Sequence, residues 1–209
     1  MKNLKKYILI AIVVFTCFIY VGCSSSITTQ NNKTKNENLS TTPISSQNTP
    51  TIKSNDNIPK KINNIGLITS ISSQAYTDFY AILDYTIKLL SKMNIKVKDY
   101  KTKFYSASMG GSKCTQSIID AIKKANHDTE FQSDILVISR GGGSIESMWC
   151  FNNEQLAEAI YNSKIPVLSA VGHERDFTLC DKAAGMRAST PSHAGMMIAE
   201  YLSCESIDC

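Results

Sequence analysis

Arg140-Gly141-Gly142-Gly143-Ser144 follows directly on the apolar run Ile135-Leu136-Val137-Ile138. Arginine presents a rigid fork of donors that matches phosphate geometry. Glycines let a ligand approach the backbone and permit positive φ, so that successive amides can form an anion-binding nest. The same five residues also suit a tight strand-to-helix turn with a surface arginine, and a glycine triplet alone does not choose between the two. A second apolar run, 165–171, opens into Gly172-His173-Glu174-Arg175-Asp176. An imidazole exchanges a proton near neutral pH. Asp176 can orient that imidazole, cap a helix starting at Phe177, or do both. Thr190-Pro191-Ser192 reads as a helix start with proline near N1, and the Thr190 and Ser192 hydroxyls can also line a groove. Two strand ends that deliver polar groups into glycine-bearing loops are what a phosphate-handling site in an open α/β sheet needs.

Other candidates are weaker on residue type. Asp78 stands in the expected first turn of a helix, where the helix dipole by itself favours a carboxylate. Trp149 and Phe151 can stack a base, although an aromatic pair after a turn more often belongs to a core. Asp181 and Arg187 suit a structural ion pair. No CxxC spacing or paired histidines suggest zinc. Of the seven cysteines, Cys204 and Cys209 are the expected disulfide pair in an exported domain.

The elements that must position these groups alternate between strand and helix. Residues 65–69 read as a first strand. Phe79, Ile82, Leu83, Ile87, Leu90 and Met93 form one apolar stripe of the helix that follows. Residues 95–100 alternate as a half-exposed strand. Gly110 and Gly111 mark a loop before a helix carrying Ile118, Ile119 and Ile122. Strand 135–139, helix 153–161 and strand 165–170 come next, then helices over about 177–184 and 192–203. This pattern predicts an α/β fold with an open, mostly parallel, Rossmann-like sheet and helices on both faces. Right-handed crossovers would align the strand C-termini along one edge.

The N-terminal residues are expected to lie outside that fold. Lys2, Lys5 and Lys6 precede an apolar run ending at Gly22, and Cys23 opens a polar stretch. This reads as an export signal over 1–22. Tyr20-Val21-Gly22-Cys23 resembles a bacterial lipobox, which predicts lipidation of Cys23 and a membrane-anchored, extracytoplasmic protein. An uncleaved anchor would leave the rest of the chain on the same side. Residues 23–61 hold no aromatic and no glycine, so they read as a disordered tether preceding a domain at 62–209. From residue 62 onward, 14 basic residues face 16 acidic ones, a net −2. That balance counts against strong sequence-independent affinity for DNA.

Taken in order, the blocks resemble the catalytic domain of the exodeoxyribonuclease VII large subunit over about 62–203. The matching residues are 65–70, Asp78, Ala121-Ile122, Ala125-Asn126, 140–146, Trp149, Phe151-Asn152, Glu154, 165–174, Asp176, Thr178, Asp181, Arg187-Ala188 and Thr190-Pro191-Ser192. Enzymes of that family cut single-stranded DNA to oligonucleotides from both ends, and the best-known members need no divalent metal. The resemblance therefore implies Asp78, Arg140, His173 and Asp176 as catalytic residues. Gly141, Gly142, Gly143, Ser144, Thr190 and Ser192 would contact phosphate or substrate. No cofactor is required on this reading, and Mg²⁺ is the ion to consider if one is used. The chain departs from the family at Met109-Gly110-Gly111, where Val-Gln-Gly is usual, and at 193–197, where an alanine-rich run is usual. The family's OB-fold and coiled coil have no expected counterpart here, so docking of the small subunit is not expected. The competing reading is a surface lipoprotein that binds a nucleotide, oligonucleotide or other anion at the Gly-rich loop without cutting it. A third is an inactive fragment of the enzyme.

Overall fold

Ile65, Leu67, Ile68 and all of Ile135, Leu136, Val137 and Ile138 are buried, a burial that strands attain only when both faces of the sheet are covered. A computed structural model describes residue 59 and residues 61–142, 145–173 and 177–203, all within the unit Thr49–Cys209. Five strands, β1 (Asn64–Thr69), β2 (Lys101–Ser106), β3 (Ile135–Ser139), β4 (Val167–Ala170) and β5 (Met186–Arg187), form one sheet in the order β2-β1-β3-β4-β5. Every pairing is parallel. The helices are α1 (Gln74–Lys92), α2 (Cys114–Asn126), α3 (Glu154–Tyr161), α4 (Leu179–Ala183) and α5 (Pro191–Leu202), with a 3-10 helix at Ile145–Asn152.

Side chains alternate across a strand, so each strand feeds two layers. Ile68, Leu136, Ile138 and Val167 share a cluster with Ile118, Phe151, Leu156 and Cys180 from α2, the 3-10 helix, α3 and α4. Helices α1 and α5 pack together on the opposite face, where Phe79, Leu83 and Ile198 are buried. Their approach depends on Gly195, because a Cβ there would stand 2.6 Å from the Phe79 carbonyl oxygen. The expected α/β architecture is thus observed. The chain runs outward from β1 to β2, then returns across β1 to β3, β4 and β5. That reversal opens a crevice at the C-terminal ends of β1 and β3, where open α/β sheets place ligands.

Several local expectations differ from the structure. The strand expected at 95–100 lies instead at Lys101–Ser106. Helix α1 runs to Lys92, Asn94 takes the left-handed conformation at φ 56°, and the Ile95 amide closes back on the Leu90 carbonyl. Ile95 therefore serves the helix end, and Val97 makes only a single bridge, to Ser203. Met93 leaves the apolar stripe as the C-cap, 45% exposed, while Thr86 is buried within it. Strand β4 begins at Val167 rather than Ile165, since Pro166 has no amide to donate; its carbonyl still accepts from Leu136. Helix α4 is capped by Thr178, with Asp181 completing a capping box, so it does not begin at Phe177.

A disulfide joins Cys114 at the start of α2 to Cys150 in the 3-10 helix, with Cα atoms 6.1 Å apart. Cys204 and Cys209, the pair expected from sequence, lie outside the described residues, as do the proposed signal segment, Cys23 and nearly all of the tether. No helix among the described residues is long and apolar enough to cross a membrane.

Candidate active site

Three chain segments leave neighbouring strands at the same edge of the sheet. The 70–73 turn follows β1, Arg140 to Gly142 follow β3, and Val171 to His173 follow β4. Register pairs Ile68 with Ile138 and Ser139 with Ala170, so the three exits lie side by side. Strands β1 and β4 are two spacings apart, roughly 10 Å.

Arg140 continues the β3–β4 ladder through its amide, which donates to the Ala170 carbonyl at 3.2 Å. Its side chain is largely buried at 9% exposure, and that burial pushes the guanidinium below its ordinary pKa. Guanidinium remains charged under any ordinary condition, so a fixed cation stands at the strand end with little competing water. Gly141 brings this loop against α1. A Cβ there would lie 3.1 Å from the Ala75 amide nitrogen and 3.6 Å from Gln74 Cβ. Gly142 faces open space. Neither has positive φ, which among the described glycines occurs only at Gly111. Of the two expected reasons for these glycines, positive φ is corrected, while backbone access remains at Gly142; Gly141 instead allows close packing. Gly143 and Ser144 lie outside the described residues.

The turn before α1 is organised by hydroxyls. Ser73 Oγ donates to the Ser70 carbonyl at 2.6 Å and accepts from the Tyr76 amide at 3.3 Å, capping the helix. The positive end of a 19-residue helix thus abuts the loop that carries Arg140, and such ends favour anions. Asp78 sits one turn further in, not in the first turn, and is half-buried. Its Oδ1 accepts from Gln74 Nε2 at 2.7 Å. Gln74 thereby holds Asp78 from the first turn of α1, the helix end on which the Gly141 loop packs. Sequence reasoning passed over it, and the i, i+4 spacing to Asp78 is the signal that would have found it.

His173 is exposed at the β4 exit. Asp176, expected to pair with the imidazole, lies outside the described residues. The His173 carbonyl accepts from Arg187 Nη2 at 2.6 Å. Arg187 also reaches Asp181 at 3.6 Å, the ion pair expected from sequence, and lies over the Phe177 ring at 4.1 Å. Asp181 is buried, accepting from Ser169 Oγ at 2.7 Å and from the Thr178 amide and hydroxyl, each at 2.9 Å. Thr190 caps α5 by accepting from the His193 amide at 3.0 Å, a bond that uses the oxygen as acceptor and not its O–H as donor. Ser192 follows in the first turn of α5, half-buried.

Trp149 and Phe151 separate completely: Phe151 is buried at 0% and Trp149 is 70% exposed. Phe177 and Ile71, in the loops after β4 and β1, are also exposed. Asn152 Oδ1 accepts from the Leu179 amide at 3.0 Å, which ties the end of the 3-10 helix to the start of α4. Among the described residues no group of three or more His, Cys, Asp or Glu side chains could hold a metal ion. The free thiol of Cys180 is buried; burial, and secondarily Asp181, pushes its pKa upward, which keeps it unreactive.

The family profile described as "Exonuclease VII, large subunit" matches residues 51–205. An exodeoxyribonuclease 7 large subunit from Clostridioides difficile is 43% identical over 137 residues, 66% of this chain and 31% of the relative. Another from Clostridium beijerinckii is 42% identical over 146 residues, 70% of this chain and 33% of the relative. The chain thus spans about a third of the length of the curated relatives it matches. Among solved structures, a Francisella novicida lysine decarboxylase gives a TM-score of 0.34 at 11% identity, covering 67% of this chain and 17% of that one. That likeness is too slight to carry an argument.

Proposed function

The chain belongs to the exonuclease VII large-subunit family, and on that basis we propose that its folded domain hydrolyses phosphodiester bonds of single-stranded DNA, releasing oligonucleotides. The observation that supports this most is the Arg140 loop packed through Gly141 onto the N-terminus of α1, beside the β4 exit that carries His173. A phosphate seated there meets a fixed guanidinium, the positive end of α1 and the accessible backbone at Gly142. These groups stabilise the charge that grows on phosphorus-bound oxygens in the transition state. Water adds to phosphorus and releases a proton to solvent, one P–O ester bond breaks, and the departing oxygen takes a proton from His173, which solvent then reprotonates. Asp78, held by Gln74, orients the water, and Asp176 orients His173. Gly143, Ser144, Thr190 and Ser192 contact the flanking phosphate, and Trp149 stacks a base. The residues supply this chemistry with no resident metal.

The proposal extends to location. A signal segment over 1–22 and a lipidated Cys23 would anchor the domain on the outer face of the membrane. The Cys114–Cys150 disulfide supports this, because disulfides persist chiefly in oxidising compartments.

The test uses the full chain and single-stranded DNA labelled separately at each end, with and without chelator, beside His173→Ala. Release of oligonucleotides from both ends that survives chelation and falls by at least a hundredfold in the variant is the expected result. Binding of oligonucleotide without release, at high concentrations of folded protein, would sink hydrolysis and favour an anion-binding lipoprotein. The net −2 of residues 62–209 is the feature that favours that second reading.

A further inference from the structure

We infer that Arg187 is a positioning residue that fixes the backbone carrying His173. It reaches the β4–α4 connection at two points and helix α4 at a third. Nη2 donates to the His173 carbonyl at 2.6 Å, the guanidinium lies 4.1 Å from the Phe177 ring centre, and Nε stands 3.6 Å from Asp181 Oδ2. The last distance is beyond a hydrogen bond, so it is a Coulombic contact. The anchor is rigid. Asp181 is held by Ser169 in β4 and by the Thr178 capping box, and Arg187 pairs in register with that same Ser169.

The loop has need of such an anchor. Gly172, with the widest backbone freedom of any residue, immediately precedes His173, and the imidazole itself is exposed. A hydrogen bond to the His173 carbonyl fixes the peptide one bond from the Cα that carries the ring. A planar guanidinium donates in one direction while it stacks and pairs in others, which a single ammonium point charge does not reproduce. The catalytic consequence rests on the nuclease reading, whereas the positional one does not. Displacing a reacting group by about 1 Å costs on the order of a hundredfold in rate.

The test is Arg187→Lys in the full chain, labelled with ¹⁵N at histidine alone. Three histidines give three backbone amide signals. His127, bonded to the Lys123 carbonyl, and His193, bonded to Thr190 Oγ1, serve as internal references. The order parameter of the His173 amide is expected to fall from about 0.85 to below about 0.6, with both references unchanged. On single-stranded DNA, kcat is expected to fall roughly tenfold to a hundredfold, with KM unchanged within about twofold. Ethylguanidinium is expected to restore part of the rate to Arg187→Ala and none to His173→Ala. A His173 amide that is equally ordered in wild type and Arg187→Lys overturns the assignment, whatever the rates do. Loss of order at all three histidines overturns it too, as a global effect. A wild-type chain that cuts nothing overturns the nuclease reading alone, and the amide measurement still decides the role of Arg187.

Discussion

Gly141 admits no side chain without a shift, because a Cβ would stand 3.1 Å from the Ala75 amide nitrogen, whereas the space before Gly142 is open. Neither residue has positive φ. Gly141→Ala is therefore expected to destabilise the fold by about 1–3 kcal/mol and to lower cleavage by moving the Arg140 loop off α1. Gly142→Ala is expected to be neutral or to stabilise by up to about 1 kcal/mol. Denaturant unfolding of the two variants checks both, and equal effects would contradict the assignment. Trp149 is a second case. At 70% exposure it contributes little to the core, so Trp149→Ala is expected to leave the unfolding midpoint in place. Anisotropy with a labelled oligonucleotide is expected to show binding weaker by about 1–3 kcal/mol. The positions of Arg140 and His173 at strand exits were legible at this scale because each follows an apolar run. Gln74 and the role of Arg187 were not. Gln74 holds Asp78 at a helix end that meets a loop 67 residues away, and Arg187 donates to a carbonyl 14 residues upstream.

A continuous apolar run with both faces buried was read correctly, and an alternation whose partners lie far along the chain was not. Strand β3 is buried throughout and was placed residue for residue. The edge strand β2 was missed by about one strand length, because Ile95 and Val97 alternate well locally yet serve the end of α1 and a bridge to Ser203. The true β2 carries Lys101 and Lys103, lysines of the kind that protect sheet edges. It is tied to the turn after α2 by the Lys103–Asp128 ion pair and by Tyr105 Oη donating to Asp128 at 2.9 Å. Lys103, then the Phe131 amide and Tyr105, hold the Asp128 carboxyl at about 2, below its ordinary 3.8. A lowered carboxylate pKa stabilises the fold fully above the unfolded value, and that contribution is lost as pH falls through the folded one. Asp128→Asn is thus expected to be less stable than wild type at pH 7. The gap should close between about pH 4 and pH 2, as followed by denaturant unfolding at each pH; a gap independent of pH would contradict the linkage.

For the whole molecule, the Cys114–Cys150 bond joins α2 to the 3-10 helix that follows the Arg140 loop, across a separation of 36 residues. A loop of that length predicts a loss of roughly 3–4 kcal/mol on reduction. Reductant and the Cys114→Ser, Cys150→Ser double variant are expected to lower the denaturant midpoint alike. No change with either would mean the bond does not form in solution. Cysteine spacing does not reveal this pair, since disulfide connectivity depends on which Cα atoms the fold brings within reach. By itself the sequence determined the parallel α/β sheet, the strand exits that hold Arg140 and His173, and the family, because periodic burial and short motifs are local properties. Only the tertiary structure decided that Gly141 seats its loop on α1, that Trp149 faces solvent while Phe151 is buried, and that Arg187 grips the His173 backbone. Each of those depends on side chains that meet only after the parallel strands have been brought into register.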